Sequence, residues 1–295
     1  MRWRRIELNT IARHLSDNLQ SRRSYLQAQF PAIWSRMVTS FATYPDDAPP
    51  TMWTCYTSSL LLRVHTLRCA IDLSFRNTPV GHESLCLERT LPPIDLFMLT
   101  HLHGDHYDAQ LIRFIEQRGK TAFLVPSPLV ERIRQECDLE KAHIKPISDR
   151  ETVQIGGLQL RAFRTRHVNI PDSFGYVLDV GQERMVLPGD IRDYATNGLP
   201  ALERVDCLLF NVWLGRQRAL SFDPTWIEAA CTFIAHFLPR RVLFSHLYDV
   251  SRPPEDAWTF IHAGWLQDRL LTVLPETRCY TPYLGEPVSL SIGRK

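Results

Sequence analysis

The chain has 295 residues, of which 44% are hydrophobic and 22% are charged, a composition typical of a globular protein with a sizeable core. Its formal net charge of +2 argues against the strongly basic surface of a general nucleic-acid binder. No stretch approaches the roughly 20 consecutive apolar residues that a membrane-spanning helix requires, so no transmembrane segment is predicted.

The N-terminal 40 residues are the basic part of the chain, with seven arginines against Glu7 and Asp17. We interpret this charge as a solvated helical face, and an acidic partner or membrane surface stays open. The basic opening is not followed by an apolar run, so a secretory signal is not expected. Seven scattered cysteines without a C-x-x-C pair fit a reducing compartment, and a cytoplasmic protein is predicted, with the cysteines as fillers of core strands.

Residues 6–40 have loose helical periodicity with a break at Pro31, and the proline-rich segment 44–50 is typical of a linker. We therefore predict an N-terminal helical extension with its linker over residues 1–50. A single main domain is predicted over residues 51–295.

The main domain alternates short apolar runs with amphipathic segments. This alternation favours a layered α/β domain. The predicted strands are 52–57, 59–64, 67–72, 94–100, 121–126, 142–147, 151–155, 158–164, 174–180, 183–188, 206–212, 241–246 and one near 277–290. The predicted helices are 109–119, 127–136 with Ser127 at its cap, 224–238 and 255–269.

The segment LTHLHGDHYD (99–108) concentrates ligand-type side chains directly after a buried strand: His101, His103, Asp105 and His106. A loop at the carboxyl end of such a strand is where α/β proteins place binding groups. Burying these groups together is costly unless they are paired or bind a metal. The segment therefore predicts part of a metal site, in which residues 101 and 103 contact one ion and residues 105 and 106 reach a second.

Three further residues follow predicted strands at the point where each strand ends: His167, Asp190 and His246. Gly189 precedes Asp190 and gives the backbone room for a sharp turn. Such positions favour convergence on the same site.

The motif H-L-H-G-D-H (101–106), with His167, P-G-D (188–190) and S-H (245–246), closely resembles the metallo-β-lactamase-fold hydrolases. This resemblance implies a four-layer αββα sandwich with two metals at one edge. By position, it implies that His101, His103 and His167 bind the first metal, that Asp105, His106 and His246 bind the second, and that Asp190 bridges both.

The D-H-Y-D run ending at Asp108 resembles the branch that contains L-ascorbate-6-phosphate lactonase and N-acylphosphatidylethanolamine phospholipase D, although His167 departs from the lactonase pattern. Asp108 has two open roles: it orients a ligand imidazole, or it caps the helix that follows.

Two adjacent divalent ions make hydroxide available near neutral pH and polarise the bond to be cleaved. Asp105 would orient the hydroxide and Asp190 would hold the ions together, so both are predicted to be catalytic. Five histidines and two carboxylates without a thiolate suit zinc first, with manganese or iron as alternatives.

Arginines near the site-bearing loops favour a small anionic substrate, and aromatic residues there could wall a pocket. As substrate or outer-shell residues we predict Tyr107, Asp108, Arg166, Arg192, Tyr194 and Tyr248. Arg164, Arg216, Arg218 and Trp213 are weaker candidates, since they could equally face solvent or pack.

The leading functional hypothesis is a dinuclear hydrolase that opens a lactone or ester. The rival is a phosphodiesterase acting on nucleic acid, a cyclic nucleotide or a phospholipid headgroup, and the least favoured reading is an inactive metal-binding scaffold. The sequence leaves open whether the chain forms a homo-oligomer.

Overall fold

The computed structural model describes residues 19–78, 80–140 and 143–291. Within these ranges the strands form two seven-stranded sheets. The strands are β1 (Thr51–Tyr56), β2 (Ser59–Val64), β3 (Leu67–Ile71), β4 (Leu96–Met98), β5 (Ala122–Pro126), β6 (Ile144–Ile147), β7 (Thr152–Ile155), β8 (Leu158–Arg164), β9 (Phe174–Val180), β10 (Glu183–Leu187), β11 (Cys207–Asn211), β12 (Arg241–Ser245), β13 (Arg278–Tyr280) and β14 (Pro287–Ser289).

The α-helices lie between and around these strands. They are α1 (Leu19–Ala42), α2 (His82–Leu85), α3 (Leu87–Thr90), α4 (Ala109–Glu116), α5 (Val130–Cys137), α6 (Pro224–His236) and α7 (Phe260–Val273). The first sheet has the order β14-β1-β2-β3-β4-β5-β6 and the second β13-β12-β11-β10-β9-β8-β7. Both sheets are mixed: β3 to β6 run parallel in the first, and β10 to β13 in the second.

Strand residues alternate between two buried environments, because both faces of each sheet are covered. Met52 of β1 packs into a core shared by the two sheets. Its neighbour Trp53 points the other way, into a core built with residues of α1, α4 and α5. A third core joins the second sheet to α6 and α7. The layers are therefore helix, sheet, sheet and helix, which confirms the predicted αββα sandwich.

Helix α1 is packed against the first sheet. Phe30, Trp34 and Phe41 are fully buried in the same core as the sheet residues, and Trp34 Nε1 donates to Thr90 Oγ1 at 3.0 Å. The predicted break at Pro31 is wrong, since the helix continues through this residue. Burial of the aromatic face outweighs the cost of an interior proline, about 3 kcal/mol. Residues 6–18 of the predicted helix lie outside the described residues, and the domain boundary at residue 50 stays a prediction.

Two predictions for the C-terminal third need correction. The helix predicted from residue 255 begins at Phe260, because Thr259 accepts from Ile261 N and forms a capping box with His262. The strand predicted near 277–290 is two strands, since β13 joins the second sheet and β14 the first. Upstream, Ser127 starts a 3-10 turn (Ser127–Leu129) ahead of α5 and does not cap the helix.

The cysteines are free, as predicted. Cys55, Cys69 and Cys207 are buried on strands, as predicted. The prediction of core-strand positions is wrong for the others: Cys137 and Cys231 are buried on helices, Cys86 is exposed, and Cys279 is half-buried on β13. None of the helices in the described ranges combines the length and apolarity that a membrane crossing requires.

Candidate metal centre

The predicted ligands lie in loops that follow strands at one edge of the sandwich. The loop between β4 and α4 carries His101, His103, Asp105 and His106, while β8, β10 and β12 are followed by His167, Asp190 and His246. His246 itself has φ 61°, a left-handed backbone that is uncommon for a non-glycine residue and concentrates at functional sites.

The structure brings all seven residues together in two groups: His101, His103 and His167, and Asp105, His106, Asp190 and His246. Within each group, one ligand atom per residue lies within 4.8 Å of the others. The groups adjoin each other, because the rings of His101 and His106 are 4.0 Å apart. Each group has enough donors for one ion, and Asp190 as a bridge stays a prediction.

The tautomer of His101 follows from a chain of hydrogen bonds. Thr100 Oγ1 donates its only proton to Asp72 Oδ2 at 2.6 Å. At 2.9 Å from His101 Nδ1, the same hydroxyl must therefore accept the Nδ1 proton. The Nε2 atom of His101 is left with a lone pair.

The same argument fixes two other rings. His106 Nδ1 lies 2.8 Å from Asp72 Oδ2, and His167 Nδ1 lies 2.9 Å from the carbonyl oxygen of Val168, so both Nδ1 atoms donate. The Nε2 atoms of His101, His106 and His167 are buried without a hydrogen-bond partner. A buried polar atom without a partner is costly and calls for an explanation, and a divalent cation at these atoms supplies one. The residues therefore fit the metals that the resemblance implies.

Asp72 is a site residue that sequence reasoning missed. It follows β3, has φ 48°, and accepts from Thr100 N at 2.7 Å as well as from His106. A carboxylate that holds the far nitrogen of a ligand imidazole fixes its orientation and raises its basicity. The signal was present in the sequence, because Asp72 ends an apolar strand as Asp190 does.

Three of the histidines are kept neutral. Burial lowers the pKa of His101 well below its ordinary value and lowers that of His103. Burial also lowers the pKa of His167 to about 4. Neutral imidazole is the form that binds a metal, so the first group is ready to bind at neutral pH.

The second group is anionic. Burial opposes ionisation, yet the neighbouring histidine side chains and, for Asp190, the Arg192 guanidinium hold the pKa of Asp105 and Asp190 well below the ordinary value. Burial likewise opposes protonation of His106, but Asp190, Asp72 and Asp105 together raise its pKa. The three carboxylates around His106 therefore favour positive charge at its Nε2, which a divalent cation would supply in place of the imidazole proton. Asp190 Oδ1 lies 3.4 Å from His106 Nε2 and 3.8 Å from His246 Nε2.

Two arginines flank the carboxylates from opposite loops. Arg192, predicted from the sequence, donates from Nη2 to Asp190 Oδ2 at 2.6 Å and lies over the Trp213 ring at 4.9 Å. Arg252, which sequence reasoning missed, donates to Asp105 Oδ2 at 3.3 Å and to Asp249 Oδ2 at 2.9 Å. Nothing in the local pattern around Arg252 indicated a site residue, since only the tertiary fold places it there.

The structure places other predicted residues in supporting positions. Asp108 caps α4 by accepting from Gln110 N and Leu111 N, which bears out one of its two open roles. The imidazole-orienting contact to His106 is made by Asp72. Tyr107 is buried, and its hydroxyl donates to the exposed Glu136 at 2.8 Å, away from the cluster. Tyr194 is likewise buried, with its hydroxyl donating to the carbonyl oxygen of Trp213. Both tyrosines are therefore packing residues.

The remaining predicted residues lie at the margins. Arg166 is exposed and donates to Asp193 and Asn197, and its carbonyl oxygen accepts from Arg192 N. Arg164 pairs with Asp172, and Arg216 and Arg218 are exposed. Tyr248 is half-buried and lines a cavity together with His246.

Gly189 lies where a side chain would disturb Asp190. It has φ +70°, and an added Cβ would lie 3.2 Å from the carbonyl oxygen of Phe174 and 3.3 Å from Thr100 Cβ. We expect Gly189→Ala to lower the free energy of unfolding by more than the roughly 1–2 kcal/mol of a left-handed backbone alone, and to reduce metal content. Urea denaturation and elemental analysis measure both effects.

Gly198 is the matched control for this substitution. It has φ +90°, but an added Cβ meets nothing within 4 Å. Gly198→Ala should therefore show the backbone cost alone, with metal content unchanged. Equal losses of stability and metal in the two variants would contradict a role for Gly189 in positioning Asp190.

Solved structures with this fold include several enzymes. Igni18, a metallo hydrolase from Ignicoccus hospitalis, has a TM-score of 0.61 at 17% identity, over 82% of this chain and 98% of that chain. CmlA, a diiron β-hydroxylase from Streptomyces venezuelae, has a TM-score of 0.60 at 15% identity, over 82% of this chain and 54% of that chain. The short form of human tRNase Z has a TM-score of 0.54 at 15% identity, over 82% of this chain and 100% of that chain. These likenesses establish the fold.

No curated protein matches the chain significantly. A family profile described as "Beta-lactamase superfamily domain" matches residues 69–247, which contain all seven cluster residues. The fold, this profile and the buried His/Asp cluster support a metal-dependent hydrolase. Because the matched region is more than half of the chain, the protein belongs to the β-lactamase superfamily domain family.

Proposed function

We propose that the protein is a dinuclear metal-dependent hydrolase that cleaves an ester or lactone bond in a small anionic substrate. The observation that carries the proposal is the set of buried Nε2 atoms on His101, His106 and His167, which have no hydrogen-bond partner and adjoin ionised carboxylates. Such an arrangement is costly in a purely structural cluster.

His101, His103 and His167 would hold one ion, and Asp105, His106 and His246 the other, with Asp190 between them. The pair would supply Lewis acidity and a water of lowered pKa. Zinc is the first choice for an imidazole-rich hydrolase site, with manganese or iron as alternatives.

The protein's own residues would orient the reactants around this site. Asp105 would accept a hydrogen bond from the attacking water and so fix its direction. Asp72 holds His106, and Thr100 holds His101, so that both rings keep their Nε2 atoms towards the site. The guanidinium groups of Arg192 and Arg252 lie beside the site carboxylates and would attract the anionic part of the substrate.

A phosphodiesterase is the second candidate, because two guanidinium groups also suit a phosphate diester. Its substrate would be a nucleic acid, a cyclic nucleotide or a phospholipid headgroup. The resemblance to the branch containing L-ascorbate-6-phosphate lactonase and N-acylphosphatidylethanolamine phospholipase D is compatible with either candidate and is part of the proposal.

The test combines elemental analysis of the purified protein with turnover of p-nitrophenyl esters, lactones and bis-p-nitrophenyl phosphate. We expect about two ions per chain and hydrolysis of esters or lactones that chelator removes and added metal restores. Turnover of bis-p-nitrophenyl phosphate with esters and lactones untouched would replace the leading function by the second. Absence of bound metal together with absence of turnover would overturn both.

A further inference from the structure

A cavity of about 490 Å³ adjoins the metal ligands, and His246 is one of the residues that line it. Its walls come from one face of α1, from β1 and the turn after it, and from the segments 244–248 and 281–284. The volume lies within the range of small-molecule sites. Because His246 belongs to both the cavity and the second ligand group, a molecule in the cavity lies next to the site.

The cavity is elongated along α1. Its lining residues on this helix recur at helical spacing over three turns: Tyr25, Leu26, Gln29, Ile33 and Arg36. From residue 25 to residue 36 the helix rises about 16 Å. A cavity with a wall of this length fits an extended chain better than a compact ring.

The middle of α1 packs against both C-terminal segments that line the cavity. The Phe30 ring lies 5.6 Å from the ring of Tyr56, whose hydroxyl donates to the carbonyl oxygen of Tyr248, two residues beyond His246. One turn later, the Ile33 side chain adjoins Gly285, which follows the lining residue Leu284. The same stretch of helix therefore adjoins the segment that carries His246 and the segment 281–284.

The lining chemistry is mostly apolar and neutral. Leu26, Ile33, Phe244, Leu247 and Leu284 supply hydrocarbon surface. Among the described residues that line the cavity, Arg36 is the only one with a permanent charge, and it is exposed. Covering this hydrocarbon surface with an apolar ligand is favourable, because it removes the surface from water.

We propose that this cavity binds the extended acyl chain of a substrate whose ester bond lies at the metal ligands. The position of the ester bond rests on the proposed function, whereas binding of the chain does not. In the reaction, the oxygen of water bonds to the acyl carbon and the carbon–oxygen bond to the alcohol breaks. The alcohol leaves with one proton of the water, and the acid releases the other to solvent.

The binding test uses two substitutions on the same helix. Gln29 and Gln27 are both exposed, but only Gln29 lines the cavity, so Gln29→Trp narrows it and Gln27→Trp is the matched control. The probe is cis-parinaric acid, a fluorescent fatty acid, titrated into metal-free protein. We expect the Kd to rise about tenfold, or about 1.4 kcal/mol, in Gln29→Trp and to stay unchanged in Gln27→Trp. Equal affinities in the two variants, or no binding to the parent protein, would overturn the proposal.

The kinetic test separates this proposal from the proposed function. With metal-loaded protein, kcat/KM for p-nitrophenyl laurate should exceed that for p-nitrophenyl butyrate, and Gln29→Trp should remove the difference while Gln27→Trp keeps it. A chain-length preference that survives in Gln29→Trp would overturn the assignment of the cavity. Binding of cis-parinaric acid with no ester turnover would leave the chain site intact and refute the esterase function instead.

Discussion

Asp190→Asn is expected to remove metal from the second ligand group and to lower ester or lactone turnover. The loss should exceed the roughly hundredfold that is typical when a residue that only hydrogen-bonds a metal ligand is replaced. Asp190 Oδ1 faces two imidazoles of the second group, at 3.4 Å from His106 Nε2 and 3.8 Å from His246 Nε2. Asparagine has nearly the same shape but no charge, so it removes the attraction for a cation with little change in packing. Elemental analysis and steady-state kinetics give the two readouts.

Asp193→Asn is the control, because Asp193 lies in the same loop and is exposed. It accepts from Ala195 N at 3.0 Å, a contact that asparagine can keep, and its other partner is the exposed Arg166 at 3.1 Å. We expect this variant to bind metal and turn over as the parent does. If folded Asp190→Asn protein retained parental metal content and activity, the assignment of the centre would be wrong.

Asp72→Asn tests the residue that orients His106, and we expect metal affinity to fall by about 10–100-fold. Asp72 Oδ2 accepts from His106 Nδ1 and from Thr100 Oγ1, and Thr100 Oγ1 in turn contacts His101 Nδ1. One carboxylate oxygen therefore orients His106 directly and His101 through Thr100. Asparagine has only one acceptor oxygen, so its amide nitrogen would face Thr100 or the Nδ1 atom of His106. The ring then loses its acceptor or changes its tautomer. Competition against a chromophoric chelator measures the affinity.

Asp95→Asn is a suitable comparison, since Asp95 precedes β4 at the opposite end of the strand from the cluster. Its carboxylate accepts from Arg68 N at 2.8 Å, so Asp95→Asn can lower the free energy of unfolding but should leave metal affinity unchanged. Metal affinity that stays parental in Asp72→Asn would show that Asp72 has only a packing role. Thermal unfolding of both variants in the metal-free form separates a folding defect from a metal-binding defect.

Much of the fold could be predicted because both sheets are covered on both faces. β1 and β2 are buried along their whole length, so apolar residues dominate both strands, and their bounds lie close to those predicted. Errors arose where local signals and tertiary packing disagree. Pro31 signals a helix end, yet the buried face of Phe30 and Trp34 continues across it. The stretch 277–290 is predicted as one strand, and only the sandwich assigns β13 and β14 to different sheets.

The seven residues of the candidate metal centre could be predicted from the sequence, because each follows a strand and is of a type that binds metals. His101, His103 and His106 stand in one short loop, where spacing alone implies convergence. The amino-acid sequence thus determined the class of fold, the ligand types and their places in the chain. These properties are local: hydrophobic period, turn chemistry and side-chain type are all written along the chain.

The tertiary structure alone decided which groups surround those ligands. Asp72 and Arg252 reach the cluster from loops 29 residues before His101 and 6 residues after His246, respectively. Tyr107 is adjacent to His106 in sequence, yet its hydroxyl donates to Glu136 of α5 and not to the cluster. The cavity beside His246 needs α1, which the sequence had set apart as an extension. Contacts between distant segments depend on how the layers pack. No single stretch of the chain specifies that packing, so its local pattern does not predict these contacts.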